Sequence, residues 1–157
     1  MGLLDYNNRL TPTAQQFNAS AVATNTHVLG ATGEDFGNGE PMAMVFTVTV
    51  AGAKAGTEAY TFQAVSSTAS NGTSGQVILA QSGVYTASSG TFDQRSQLAV
   101  GDQIVIPIPV GVVPATATHL TARVVIASSG DITGFWDLVP MHQVTRNKSY
   151  TAQPTLQ

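Results

Sequence analysis

Residues 42–50 read Met-Ala-Met-Val-Phe-Thr-Val-Thr-Val. Met42, Met44, Phe46, Val48 and Val50 fall on one side, and Ala43, Val45, Thr47 and Thr49 on the other. Side chains alternate with a period of two along a strand, so this run predicts a β-strand. The pattern recurs. Ala59–Val65 sets Tyr60, Phe62 and Ala64 against Thr61, Gln63 and Val65. Gln103–Ile108 presents Ile104, Ile106 and Ile108, and His119–Ala127 presents Leu120, Ala122, Val124 and Ile126. Ile132–Val139 places Trp136 in phase with Ile132 and Leu138, as a core residue. Weaker strands are expected at Ser20–Leu29, Gln76–Ser82 and Ser96–Val100.

Turn residues separate these runs: Gly30–Gly33, Gly37–Gly39, Asn71-Gly72, Ser88–Gly90, Gly101-Asp102, Gly111–Pro114 and Ser128–Asp131. Ala51–Gly56 reads as a hairpin loop between two strong strands. Pro107 and Pro109 lack the ladder donor, so their strand is expected to lie at a sheet edge or to end there. No βαβ spacing occurs. The expected fold is all-β: an antiparallel β-sandwich of about eight strands, jelly-roll-like, with extended N- and C-terminal segments. The boundaries are an arm over 1–18, a sandwich over 19–139 and a tail over 140–157.

Composition narrows the function. Charged residues are 10% of the 157, against about 25% in an ordinary soluble domain. Two Lys and three Glu are too few for long surface helices, while 20 Thr and 12 Ser fill the polar positions. Six unclustered basic residues and a net charge of −3 argue against nucleic acid as partner. With no cysteine, disulfides, zinc–thiolate sites and thiol nucleophiles are excluded. No apolar run approaches the length of a membrane span, and the N-terminus carries no signal-peptide pattern.

No motif in the chain carries catalysis. His27, His119 and His142 are widely spaced, and neither H-x-H nor H-E-x-x-H occurs. There is no G-x-S-x-G elbow and no phosphate loop. Glu34, Asp35 and Glu40 share a Gly-rich loop, but their spacing is not that of a calcium-binding EF-hand, so a solvated or interface loop is the expectation. The Asn-x-Ser/Thr matches at Asn18, Asn71 and Asn147 are of the kind a Ser/Thr-rich chain produces by chance. No enzyme, metal or cofactor is expected.

Three segments carry a resemblance. Ala14-Gln15 leads through an Ala/Thr/Ser-rich stretch to Thr24-Asn25 and Leu29-Gly30. Asp35-Phe36-Gly37-Asn38-Gly39-Glu40-Pro41-Met42 runs straight into the strong strand. Ile104–Gly111, with its alternating prolines, precedes His119–Ile126 and the closing strand. Together they resemble the jelly-roll capsid cement (decoration) proteins of tailed bacteriophages. That resemblance implies a trimer on the outer surface of the expanded head, clamping neighbouring copies of the major capsid protein, with no cofactor or small-molecule substrate. Val112-Val113-Pro114 departs from the family pattern.

On this reading Leu3, Leu4, Tyr6, Leu10 and Phe17 are expected to anchor an arm on a neighbour, the alternative being that this flank closes over its own sheet. Asp35, Gly37, Gly39, Glu40 and Pro41 are expected to form a close-contact loop. The rival class is a carbohydrate- or host-receptor-binding module, which needs exposed aromatic platforms. A connector or fibre subunit is a third reading.

Overall fold

The computed structural model describes residues 9–30, 41–50, 58–88, 91–92, 98–109, 111–127, 130–141 and 144. In chain order the strands are β1 (Gln15–Phe17), β2 (Ala21–Val22), β3 (His27–Val28), β4 (Met42–Val50), β5 (Ala59–Ser67) and β6 (Val77–Gln81). They continue with β7 (Tyr85–Ser88), β8 (Thr91–Phe92), β9 (Gln103–Ile108), β10 (His119–Ala127) and β11 (Ile132–Pro140). The first sheet has the order β1-β11-β4-β9. The second has the order β2-β10-β5-β7-β8, with β3 also on β10 and β6 also on β5. The pairings are antiparallel.

Counting β2 with β3 as one broken strand, and β6 with β7 as another, leaves four strands in the first layer and four in the second, with the two-residue β8 added at the edge on β7. The chain then passes from sheet to sheet at nearly every connection, which is the path of a jelly roll. The protein is therefore an all-β sandwich of this type.

The alternation read from sequence explains the packing. Met44, Phe46 and Val48 of β4, Ile104 and Ile106 of β9, and Ile132, Trp136 and Leu138 of β11 face inward and are buried. Tyr60, Phe62 and Ala64 of β5 meet them with Leu120, Ala122 and Val124 of β10. Phe46 sits at the centre, with ring centroids 5.0 Å from its cross-strand partner Trp136 and 4.9 Å from Phe62 of the opposite sheet. Burying one such side chain stabilises the fold by about 1.5–3 kcal/mol. β9 is an edge strand, and Pro107 lies within it opposite Ala43, as its missing donor requires.

Glycine is required at two places. β11 bulges between Thr133 and Gly134 against β4, and a Cβ on Gly134 would lie 2.5 Å from the Thr47 carbonyl oxygen and strike the Phe46 ring. Gly101 has φ +93°, as the third residue of a turn closed by Asp102 N–H donating to the Ala99 carbonyl at 3.0 Å.

Several expectations are corrected. β4 and β5 belong to different sheets and are not partners, so they do not form the expected hairpin; residues 51–56 lie outside the described residues. Ser20–Leu29 is two short strands rather than one. Leu98–Val100 is not a strand; it enters the Ala99–Asp102 turn, with Leu98 buried. β1, β7 and β8 were not expected. Their lengths of two to four residues are too short for alternation to stand out.

Candidate functional site

The N-terminal flank is tied to the body from Arg9 onward. Leu10 N–H donates to the Trp136 carbonyl at 2.9 Å, and Trp136 N–H donates to Thr11 Oγ1 at 2.7 Å. Leu10 and Phe17 are each 1% exposed and belong to the central core. They are therefore not arm anchors. Their apolar side chains close the sandwich beside Trp136 and Phe46, and Phe17 lies edge-on to Phe46 at 6.0 Å. For these two residues the flank covers its own sheet. Leu3, Leu4 and Tyr6 lie outside the described residues, as do Asp35, Gly37, Gly39 and Glu40. Pro41 is exposed, and its carbonyl accepts from Met141 N–H at 2.8 Å, joining the start of β4 to the end of β11.

The polar residues of the first resemblance segment hold a corner. Gln15 Oε1 accepts from both Thr24 N–H and Thr24 Oγ1, each at 2.9 Å, while its Nε2 donates to the Val22 carbonyl at 3.0 Å. Asn25 N–H donates to the Leu10 carbonyl at 2.8 Å. These contacts fix the path from β1 to β3.

The titratable groups form no reaction centre among the described residues. His27 is buried in β3, and His119 Nδ1 lies 2.8 Å from Thr118 Oγ1. No group of three or more His, Asp or Glu side chains is placed to hold a metal ion among those residues. Tyr60 Oη accepts from Asp131 N–H at 3.0 Å, and burial pushes its phenol above the ordinary value. Trp136, the chain's single tryptophan, is fully buried and offers no sugar platform.

The outward faces of the two sheets differ. On the first, Ala43, Val45 and Val139 are buried under the chain's own Met141 and Val144. Its charges are paired: Arg9 Nε lies 3.2 Å from Asp137 Oδ1, with the guanidinium 4.3 Å above the Phe135 ring. Burial raises the Asp137 carboxyl above the usual carboxylate range, and Arg9 opposes that shift.

The second sheet's outward face is polar at its centre and partly covered by the chain itself: Gln63, Val65 and Thr121 are buried, and Gly72 packs against Thr121. Arg123 of β10 pairs in register with Gln63 of β5, and Gln63 with Gln81 of β6. Gln63 Nε2 donates to Gln81 Oε1 at 3.1 Å, and Arg123 Nη1 donates to Gln76 Oε1 at 3.4 Å. Gln76 is held in turn by its Nε2 on the Gly72 carbonyl at 2.6 Å. Ile78 pairs with Val65 on the same face and is 50% exposed. No residue of β6 is buried, and Val77 and Val84 add to the exposed apolar rim. Residues 59–92 carry no charged side chain. That charge-free run was the signal in the sequence for this surface, because exposed strands ordinarily carry guarding charges.

A search of curated proteins gives no match to the chain. A family model described as Bbp16 matches residues 11–134. The match begins at Thr11, within the buried N-terminal clamp, and runs through β1 to β10 into the start of β11, which covers most of the chain. The protein belongs to the Bbp16 family.

Proposed function

We propose that the protein is a structural virion component, a cement or decoration protein that binds the outside of the expanded head of a tailed bacteriophage. It ties together neighbouring copies of the major capsid protein. It is made in the bacterial host cytoplasm and resides on the outer surface of the head. The observation that carries this reading is the character of the second sheet: a charge-poor surface with exposed valine and isoleucine on its rim. Surfaces of this kind match protein interfaces, where charged groups are depleted and apolar patches mark contacts. The jelly-roll path and the cement-like segments support the same reading.

Cooperation between linked copies adds to it. Three copies in one trimer raise each other's effective concentration at the shell, so individually weak neutral contacts suffice. The test is co-sedimentation of the purified protein with expanded, undecorated heads, alongside its solution mass. Saturable binding that raises the temperature at which heads disrupt is the expected result, with a free mass near three times the 16.2 kDa chain. Absence of binding to expanded heads, with selective capture on a glycan array, would overturn the reading in favour of a carbohydrate-binding module.

A further inference from the structure

We infer that Asn71 is a site of spontaneous deamidation and that the fold directs its product to aspartate, which places a carboxylate on the turn between β5 and β6. This inference stands apart from the cement reading.

The chemistry starts from the dipeptide Asn71-Gly72. The Gly72 amide nitrogen, giving its proton to water, attacks Asn71 Cγ. A five-membered succinimide forms and the side-chain nitrogen leaves as ammonia. Water then opens the ring. The net change is amide plus water to carboxylate plus ammonium, with no oxidant or cofactor. Glycine suits the second position because it has no Cβ to obstruct the approach. Asn71 is exposed, so water reaches both the leaving amide and the ring.

Negative charge develops on Asn71 Oδ1 during the attack. That oxygen already accepts from Thr73 N–H at 3.1 Å and from Thr73 Oγ1 at 2.8 Å. Donors fixed on an oxygen before it becomes an anion stabilise the tetrahedral state. One bond opposes the reaction. Gly72 N–H donates to the Ala69 carbonyl at 3.0 Å and must let go before its nitrogen can attack. The folded protein therefore reacts more slowly than an unfolded chain.

The product depends on which ring carbonyl water attacks. Attack at Cγ restores the ordinary backbone with aspartate at position 71. Attack at the main-chain carbonyl gives isoaspartate, with an extra methylene in the main chain. Flexible Asn-Gly peptides give mostly isoaspartate. Here the backbone is pinned on both sides. The Ser70 carbonyl accepts from Thr26 Oγ1 at 2.8 Å, and the Gly72 carbonyl from Gln76 Nε2 at 2.6 Å. Gly72 is buried with φ +70°, and even a Cβ there would lie 2.9 Å from Thr121 Cγ2. A lengthened main chain does not fit this space, whereas a carboxylate replaces the amide without moving it. Aspartate keeps both Thr73 bonds, now charge-assisted. It makes the net charge of −3 one unit more negative, within the stretch 59–92 that otherwise carries no charge.

The experiment incubates the full chain in mildly alkaline buffer, folded and in urea, and follows its peptides by mass spectrometry. Electron-transfer fragmentation separates aspartate from isoaspartate. Asn38-Gly39, the chain's other Asn-Gly, lies outside the described residues and is scored on its own peptide. Asn71 is expected to convert steadily in the folded protein, more slowly than in urea. Aspartate is expected to dominate when folded and isoaspartate in urea. Thr73→Val keeps the backbone donor and removes the hydroxyl, and thermal melting checks that it folds. It is expected to slow conversion in the folded state by about five-fold. An unchanged or faster rate in folded Thr73→Val would mean that the hydroxyl only locks the turn, and would overturn its part in the reaction. An Asn71 still intact in the folded protein long after the urea sample has converted completely would overturn the site. Isoaspartate as the main product of the folded protein would overturn the control by the fold.

Discussion

The side-chain amide of Gln15 receives two hydrogen bonds from Thr24, through its backbone N–H and its hydroxyl, and so pins the start of β1 to the approach to β3. A hydrogen bond of this kind contributes about 0.5–1.5 kcal/mol net, and less at exposed sites. Gln15→Ala removes these two and the bond to Val22. The expected cost is about 1–2 kcal/mol, or a Tm lower by about 3–6 °C. Thermal melting measures it. A change under 1 °C would mean that backbone pairing alone holds this corner.

The Arg9–Asp137 pair gives a pH dependence of definite sign. Burial raises the folded carboxyl above its ordinary value of 3.8. Between that value and the raised one, the folded protein holds a proton that the unfolded chain has released. Stability from this site is therefore fully present below the ordinary value and falls as pH rises through the window. Asp137→Asn is expected to remove that slope at little cost in stability. Arg9→Ala leaves a largely buried carboxylate without its cation and takes the guanidinium off Phe135, at about 1–2 kcal/mol. In the Asp137→Asn background the same change is expected to cost less. Denaturant melts from pH 3 to 8 on the four proteins test this, and additive costs would refute the coupling.

Gly134→Ala tests the bulge. The added methyl meets the Thr47 carbonyl and the Phe46 ring, and neither yields easily, because one is backbone and the other is packed between Trp136 and Phe62. Overpacking of this sort costs about 1–3 kcal/mol. The upper end is expected, since a backbone atom is involved. A variant as stable as wild type by denaturant melting would show that β11 shifts register freely.

Tyr60 and Tyr85 are expected to resist alkaline titration, because burial raises both phenols. The unfolded chain releases these protons near 10 while the folded one keeps them, so stability falls as pH rises past that point. Tyrosinate absorbance should then rise in a late step that coincides with unfolding. Tyr60→Phe leaves Asp131 N–H without its acceptor and is expected to cost about 1–2 kcal/mol at neutral pH while flattening the alkaline loss.

The long strands were legible because they alternate. Phe46, Tyr60, Phe62, Leu120 and Trp136 all lie on the faces that the period of two assigns to the core. The short strands were not, since Ala21–Val22 and His27–Val28 are placed by pairing with β10 and not by their own pattern. Leu10 and Phe17 were misjudged for a related reason. Isolated apolar residues in a polar stretch look the same whether they anchor a neighbour or plug their own sandwich. Only the hydrogen bonds to Trp136 and the ring contact with Phe46 separate the two cases. The Arg123–Gln76 contact was hidden because it joins β10 to the residue before β6, far apart in sequence.

The order of the first sheet sets a timetable for synthesis. β4 is paired on both sides by strands that emerge much later, β9 and β11, and β1 waits for the same final strand. A growing chain therefore carries β1 and β4 without their permanent neighbours until β11 has left the ribosome. Such non-local pairing slows folding to milliseconds or longer and leaves aggregation-prone edges open meanwhile. Truncation even a few residues into β11 is thus expected to leave the first sheet without its centre, so the last strand acts as the keystone of the fold.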